Sequence, residues 1–212
     1  SMALGRARME LGHMGGIVDG MLENIKPALQ GRDLGGLARG FDQIVVLRDA
    51  VLVYLQKVGR HEFSDLEAGE HARLVTATGE LEGMAAAISR DLAPLVAEFE
   101  TATIGVAKET AELLERLLQA IEESARSALH ALVERDEQAA QAVLAKRGEI
   151  AGLTAEVQQL QAARLAQDDP DRFTKHRLQI ELLDRLRRIY SVSEHMAISV
   201  LPRSLLAGDL YS

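Results

Sequence analysis

Apolar residues recur every seven positions along most of this 212-residue chain, and this spacing predicts long helices. The clearest run contains Leu74, Leu81, Ile88 and Leu95. Side chains at this spacing lie on one face of a helix, so the run predicts an apolar stripe that forms the seam of a helical bundle. Similar runs occur on both sides of it: Leu4, Leu11, Val18 and Ile25; Leu37, Ile44, Val51 and Val58; Val143, Ile150 and Val157.

Residues that favour helix ends divide these runs into six expected helices. Gly31 and Asp33 are typical of an end and the following start, and Pro170 is typical of a first helical residue. Ser64 and Glu67 have the spacing of a capping box. With Asp136 as a further cap, helices are expected over about residues 2–30, 34–59, 64–100, 106–135, 136–166 and 170–201.

Two features predict departures from regular helix packing. Pro94 lacks an amide hydrogen, so a kink is expected between Arg90 and Pro94 in the third helix. The first helix contains five glycines, each of which costs about 1 kcal/mol relative to alanine in a helix interior. Such a helix is typical of close approach by a neighbour, and a ligand contact is the alternative: Gly5, Gly12, Gly15, Gly16 and Gly20.

An internal echo divides the chain into two similar halves. The segment from Ala28 to Asp33 matches the segment from Ala131 to Asp136, and each joins the first and second helix of its half. The six helices therefore form two up-down-up triplets. We predict an all-α fold of two tandem three-helix bundles, with domains at residues 1–100 and 101–212.

Composition narrows the functional classes. The net charge of −8 argues against nucleic-acid binding, which needs a basic surface. The absence of cysteine excludes disulfides, thiolate metal sites and cysteine nucleophiles. No apolar run approaches the roughly 20 residues of a membrane helix, and no signal peptide is recognisable, so a soluble chain is expected. Ser1 before Met2 resembles a cloning remnant, which is compatible with an excised domain.

Motifs for catalysis are missing from the sequence. No two histidines have the spacing of a helical metal site, and there is no phosphate-binding loop or nucleophile elbow. The sequence therefore favours a non-enzymatic protein without a cofactor. Carboxylates are the remaining candidates: Asp19 and Glu23 share a helix face and could bind a cation, although a solvated acidic surface is the alternative.

Four segments of the chain, at residues 7–22, 51–55, 79–86 and 182–202, have an order and spacing that match a known family. They resemble the PhoU family, in particular the PhoU-like domain of bacterial sodium/phosphate cotransporters. The segment from Ala7 to Leu22 resembles the opening helix, and that from Val51 to Leu55 resembles the end of the second helix. The segment from Gly79 to Ala86 lies where the family has an acidic run, and that from Leu182 to Pro202 resembles the final helix. The resemblance covers nearly the whole chain.

The resemblance implies a metal-binding pair that this chain lacks in part. PhoU proteins can bind metal clusters through Glu/Asp-x-x-x-Asp pairs. Glu82 occupies the first position of such a pair, but Ala86 occupies the second. No complete pair of this kind occurs in the chain. A metal-binding helical protein using Asp19, Glu23 and Glu82 is therefore an alternative, and a protein without a metal is the expectation.

The resemblance also implies a role. The leading hypothesis is a cytoplasmic regulatory or interaction domain attached to an inner-membrane, sodium-dependent phosphate transport domain. Its expected partners are that transport domain or phosphate-signalling proteins. A free-standing PhoU-type regulator of phosphate uptake is the main alternative, and a coiled-coil scaffold unrelated to phosphate is another. Apolar helix edges are also compatible with a homodimer.

Overall fold

The structure, a computed structural model, describes residues 2–32, 34–60, 62–101, 106–166 and 171–202. Within these ranges the chain forms nine α-helices and one π-helical turn. They are α1 Met2–Glu23, α2 Ile25–Leu29, α3 Leu34–Val58, α4 Asp65–Ala86, the π turn Ala87–Leu92, α5 Ala93–Thr101, α6 Lys108–Glu134, α7 Glu137–Ala145, α8 Arg147–Leu165 and α9 Arg172–Val200. The described part contains no strand, which confirms the all-α prediction.

The helices combine into the six long rods that the sequence predicts. Helices α1 and α2 form the first rod, α4, the π turn and α5 form the third, and α7 and α8 form the fifth. The first three rods contact one another, and so do the last three. The prediction of two three-helix bundles is therefore confirmed. The division into domains at residue 100 borders on residues 102–105, which lie outside the described part, and it stays a prediction.

The two bundles lie side by side in opposite directions. Helix α1 runs antiparallel to α6: Lys26 contacts Glu115, Asp19 contacts Arg126, and Gly15 faces Val133. A second contact joins α4 and the π turn to α9. Apolar side chains from both bundles form one core cluster. The seam between the triplets is thus part of the hydrophobic core.

The stripe on the third rod is buried as predicted. Leu74, Leu81 and Ile88 are almost completely inaccessible, and Leu95 is also buried. The predicted disturbance before Pro94 takes the form of a π-helical turn. Pro94 has no amide hydrogen to donate to the preceding turn, which leaves the backbone free to widen there.

Local capping explains two of the helix starts. The Glu67 amide donates to Ser64 Oγ at 3.3 Å, and the Ser64 amide donates to Glu67 Oε2 at 3.2 Å, which confirms the capping box. Asp136 accepts from the amides of Gln138 and Ala139 and caps α7, also as predicted. The predicted starts at Asp33 and Pro170 lie outside the described residues.

Two predicted helices are divided in the structure. The first ends at Glu23 and resumes at Ile25, because Pro27 cannot donate to the carbonyl of Glu23. The fifth is divided at Lys146, and no residue there predicts the break.

The two junctions that echo each other in sequence each contain one left-handed residue. Gly31 has a φ of 76° and Arg135 has a φ of 61°. Glycine adopts this conformation without steric cost, whereas arginine does not. Among the described non-glycine residues, Arg135 alone has a positive φ. Its side chain contacts Glu70 on α4.

Candidate functional site

Asp19 and Glu23, predicted as cation ligands, both contact an arginine. They lie one turn apart on α1 and face Arg126 on α6, at 3.3 Å and 3.6 Å respectively. All three side chains are about half exposed. The shared helix face is therefore as predicted, and the carboxylates form a bridge between the two bundles.

Glu82, the third predicted ligand, also has an arginine as its neighbour. It accepts a hydrogen bond from Arg48 on α3, and this bond raises the pKa of Arg48. Ala86, one turn further along α4, is partly buried. The contact holds α3 and α4 together at a partly buried position.

The structure does not bring the three predicted ligands together. Within the described ranges, no group of three or more histidine, aspartate or glutamate side chains is arranged to hold a metal ion. Asp19, Glu23 and Glu82 therefore do not form one ligand set. A cation at either position would compete with a guanidinium group that already contacts the carboxylate.

The most heavily bonded carboxylate belongs to Glu70, which sequence analysis missed. Glu70 lies on α4, is 6% exposed, and contacts three arginines. Arg8 comes from α1, Arg73 from α4 itself, and Arg135 from the junction after α6. We call these four residues the Glu70 cluster. It joins both bundles at one end of the molecule.

A signal for this cluster was present in the sequence. Glu70 precedes Leu74 by one helical turn, so it occupies the buried face of the third rod where an apolar residue is expected. A buried carboxylate needs charged partners, because transfer of an unpaired charge out of water is very unfavourable. The sequence does not show which partners are used, since they lie far away along the chain.

The arginines keep Glu70 charged. The pKa of Glu70 is lowered, chiefly by its hydrogen bonds from Arg73, against an opposing effect of burial. The charges of Arg135 and Arg8 lower the pKa further. The cluster therefore carries a stable negative charge surrounded by three positive ones.

A second feature is an apolar groove between α1 and α3, which we call the α1–α3 groove. It has a volume of about 420 Å³. Tyr54 is fixed at one end by donating its hydroxyl to the carbonyl of Ala3 at 3.1 Å. Val46 and Met9 on the same two helices are 68% and 76% exposed. The groove is lined by Arg6, Ala7, Glu10, Leu47, Ala50, Val51 and Tyr54.

Comparison with known proteins gives a match at the level of structure. No protein family model matches the sequence, and no curated protein is similar to it. A solved structure, PhoU from Pseudomonas aeruginosa, superimposes with a TM-score of 0.77. The match covers 98% of this chain and 98% of that one.

The chain has a PhoU-like fold. Sequence identity to the Pseudomonas protein is 18%, so the similarity shows the fold alone. Because the PhoU-like fold extends over the whole chain, all six rods belong to it. Among the described residues, no helix is both long enough and apolar enough to cross a membrane.

Proposed function

We propose that this chain is a non-enzymatic regulatory domain in phosphate homeostasis. The observation that carries the proposal is the PhoU-like fold over nearly the full length of both chains. The segments from Ala7 to Leu22 and from Leu182 to Pro202 resemble the same family in sequence and support it. The carboxylates Asp19, Glu23, Glu70 and Glu82 each contact an arginine, an arrangement suited to stability.

We propose further that the domain acts by docking, with the α1–α3 groove as the docking face. The groove has apolar lining residues, and the same two helices carry the exposed apolar residues Met9 and Val46. Surfaces of this kind accept the apolar face of a partner helix. The partner is the membrane transport domain of a sodium/phosphate cotransporter or a phosphate-signalling protein.

Deletion of the gene in its host tests the regulatory role. We expect phosphate uptake in phosphate-replete cells to rise, because the restraint on transport or on its signalling is lost. Uptake of labelled phosphate measures this, with the intact gene restored on a plasmid as the control. Unchanged uptake at every external phosphate concentration would contradict the proposed function.

A charge placed in the groove tests the docking face. Ala50 is exposed and lines the groove, so Ala50→Glu should abolish complementation of the deletion while leaving the fold intact. Ala72→Glu makes the same change at an exposed position of α4 and is the matched control. Equal complementation by both variants would place the docking face elsewhere.

Two forms of the regulator are compatible with this fold: a domain attached to a cotransporter and a free-standing PhoU-type protein. The coding sequence upstream of the chain distinguishes them. A region with several membrane spans joined in frame supports the attached form, and an independent start supports the free-standing one.

The proposed function needs no resident metal. The candidate ligands Asp19, Glu23 and Glu82 each contact an arginine. In the acidic pair that begins at Glu82, the second position is occupied by Ala86. Calorimetric titration of the purified chain with zinc, manganese and iron tests this. A stoichiometric heat that is lost in Glu82→Gln would favour the metal-binding alternative.

A further inference from the structure

The oxygens of Glu70 are fully occupied by arginine donors. Arg73 donates from Nη2 to Oε1 at 2.9 Å and from Nε to Oε2 at 3.1 Å. Arg8 Nε lies 2.8 Å from Oε1, and Arg135 Nη1 lies 3.1 Å from Oε2. Each oxygen therefore accepts one hydrogen bond from Arg73 and has one further ion-pair contact, with Arg8 or Arg135. The carboxylate has little capacity left to attract further groups.

The cluster carries a surplus of positive charge. Three guanidinium groups surround one carboxylate, in a chain whose overall charge is −8. Arg73 is mostly buried and also donates to the carbonyl of Leu132 at 3.1 Å. Arg8 and Arg135 are 53% and 57% exposed, and neither contacts a second carboxylate among the described residues. About half of each of these two side chains is therefore open to solvent.

The backbone supports the position of Arg135. Its φ of 61° places it in the left-handed region, which disfavours residues other than glycine. The residue closes α6, and its amide donates to the carbonyl of Ala131. The strained turn directs a guanidinium group to Glu70, where Arg8 arrives from the other bundle.

We propose that Arg8 and Arg135 form a binding site for a small divalent oxyanion, with inorganic phosphate as the ligand, a choice of anion that rests on the proposed function. Planar guanidinium groups offer paired donors that match the oxygens of a tetrahedral anion. Glu70 positions both groups, because it fixes one nitrogen of each and leaves the others to the ligand. The two arginines come from different bundles, so the anion binds across the seam between them.

Another arginine on the same two helices provides a contrast. Arg126 is 46% exposed on α6, and it contacts carboxylates of α1. It therefore lies between the same two helices as the pair of Arg8, from α1, and Arg135, which follows α6. It contacts two carboxylates, Asp19 and Glu23, so the local charge there is negative. Arg126→Gln therefore removes an equally exposed arginine from a place that repels anions.

Isothermal titration of the purified full chain with inorganic phosphate tests the site, against sodium chloride at matched ionic strength. We expect saturable binding to one site, and competition by sulfate. The double variant Arg8→Gln/Arg135→Gln should bind phosphate at least about tenfold more weakly, since each lost charge-assisted hydrogen bond changes affinity by roughly that factor. Arg126→Gln should bind as the parent chain does.

Thermal unfolding of each variant shows whether the fold is retained. Arg8→Lys/Arg135→Lys keeps the charge but loses the planar forks, so intermediate affinity is expected. Heats that match those of sodium chloride, or equal binding by the glutamine variant and the parent chain, would overturn the site. Titration measures binding alone and the gene deletion measures the cellular role, so either proposal can fail while the other stands.

Discussion

At the scale of single residues, several carboxylates of this molecule contact arginines from other helices. Asp19 and Glu23 face Arg126, Glu82 faces Arg48, and Glu70 faces three arginines. The exposed pairs contribute little to stability, because water and salt screen them. Glu70 differs because it is buried, so its contacts must offset the loss of hydration.

Glu70→Gln should destabilise the protein by about 2–3 kcal/mol, since the neutral amide keeps one acceptor oxygen for three arginines and turns an NH2 donor toward them. The estimate lies toward the lower end for buried ion pairs, because Arg8 and Arg135 remain partly hydrated. Urea unfolding at neutral pH measures the difference. Glu115→Gln removes an exposed partner of Lys26 and should change the free energy of unfolding by less than about 1 kcal/mol.

The contribution of Glu70 should also depend on pH. Because its native pKa lies below the ordinary glutamate value, its stabilising effect is complete at neutral pH. The effect is lost as the pH falls from the ordinary glutamate range through the lower native pKa. The difference in stability between the parent chain and Glu70→Gln should therefore shrink in acid. A constant difference down to the acid transition would mean that the carboxylate charge is not responsible.

At the scale of helices, close approach accounts for only some of the glycines in α1. A Cβ at Gly15 would lie 3.1 Å from Val133 and one at Gly12 would lie 3.9 Å from it, as expected for tight packing against α6. A Cβ at Gly5, Gly16 or Gly20 would meet nothing within 4 Å. The packing interpretation therefore applies to the glycines that face the second bundle.

Alanine substitutions at two glycines should have opposite effects. A Cβ at Gly40 would lie 2.5 Å from Cγ and 2.6 Å from Sδ of the buried Met21, so Gly40→Ala should destabilise by about 1 kcal/mol after the gain in helix propensity. A Cβ at Gly79 would meet nothing within 4 Å, so Gly79→Ala should stabilise by up to about 1 kcal/mol. Thermal unfolding of both variants measures the contrast. Stabilisation by both would show that Met21 moves aside freely.

The predictability of each element follows from the range of the interactions that form it. The stripe from Leu74 to Leu95 and the capping box at Ser64 depend on residues within a few turns, and the sequence predicted both. The π turn was predicted only as a kink. Pro94 shows where a backbone hydrogen bond of the helix is missing, but not how the backbone responds. The partners of Glu70 and Glu82 were missed, since Arg8, Arg135 and Arg48 become neighbours only when rods pack.

At the scale of the whole molecule, the two bundles share a core and a set of charged bridges. Helix α1 packs on α6, and α4 with the π turn packs on α9. Further pairs cross the same seam, among them Arg188 with Asp91 at 2.9 Å and Arg177 with Glu98. Separation of the bundles would expose apolar surface that is now buried, so their stabilities should be coupled.

The chain should therefore unfold in one cooperative transition. Hydrogen exchange followed by mass spectrometry, across a urea series, reports on α3 and α8 separately, and we expect the same midpoint for both. Two variants compare a charge at the seam with a remote charge. Arg188→Gln removes a charge that pairs with Asp91 across the seam, and Lys57→Gln removes one from an exposed face of α3. Distinct midpoints for the two helices would instead show that residues 1–100 and 101–212 behave as independent domains.

The left-handed residue of the second junction has a consequence for selection. Position 135 is subject to two demands, because backbone conformation favours glycine and the Glu70 cluster uses arginine. A library randomised at this position and screened for heat resistance should be enriched in glycine and asparagine if the strain of the left-handed backbone exceeds the contribution of the contact between Arg135 and Glu70. The same library screened for retention of bound oxyanion should return arginine. Selection at this one position would thus separate the requirement for stability from the requirement for ligand binding.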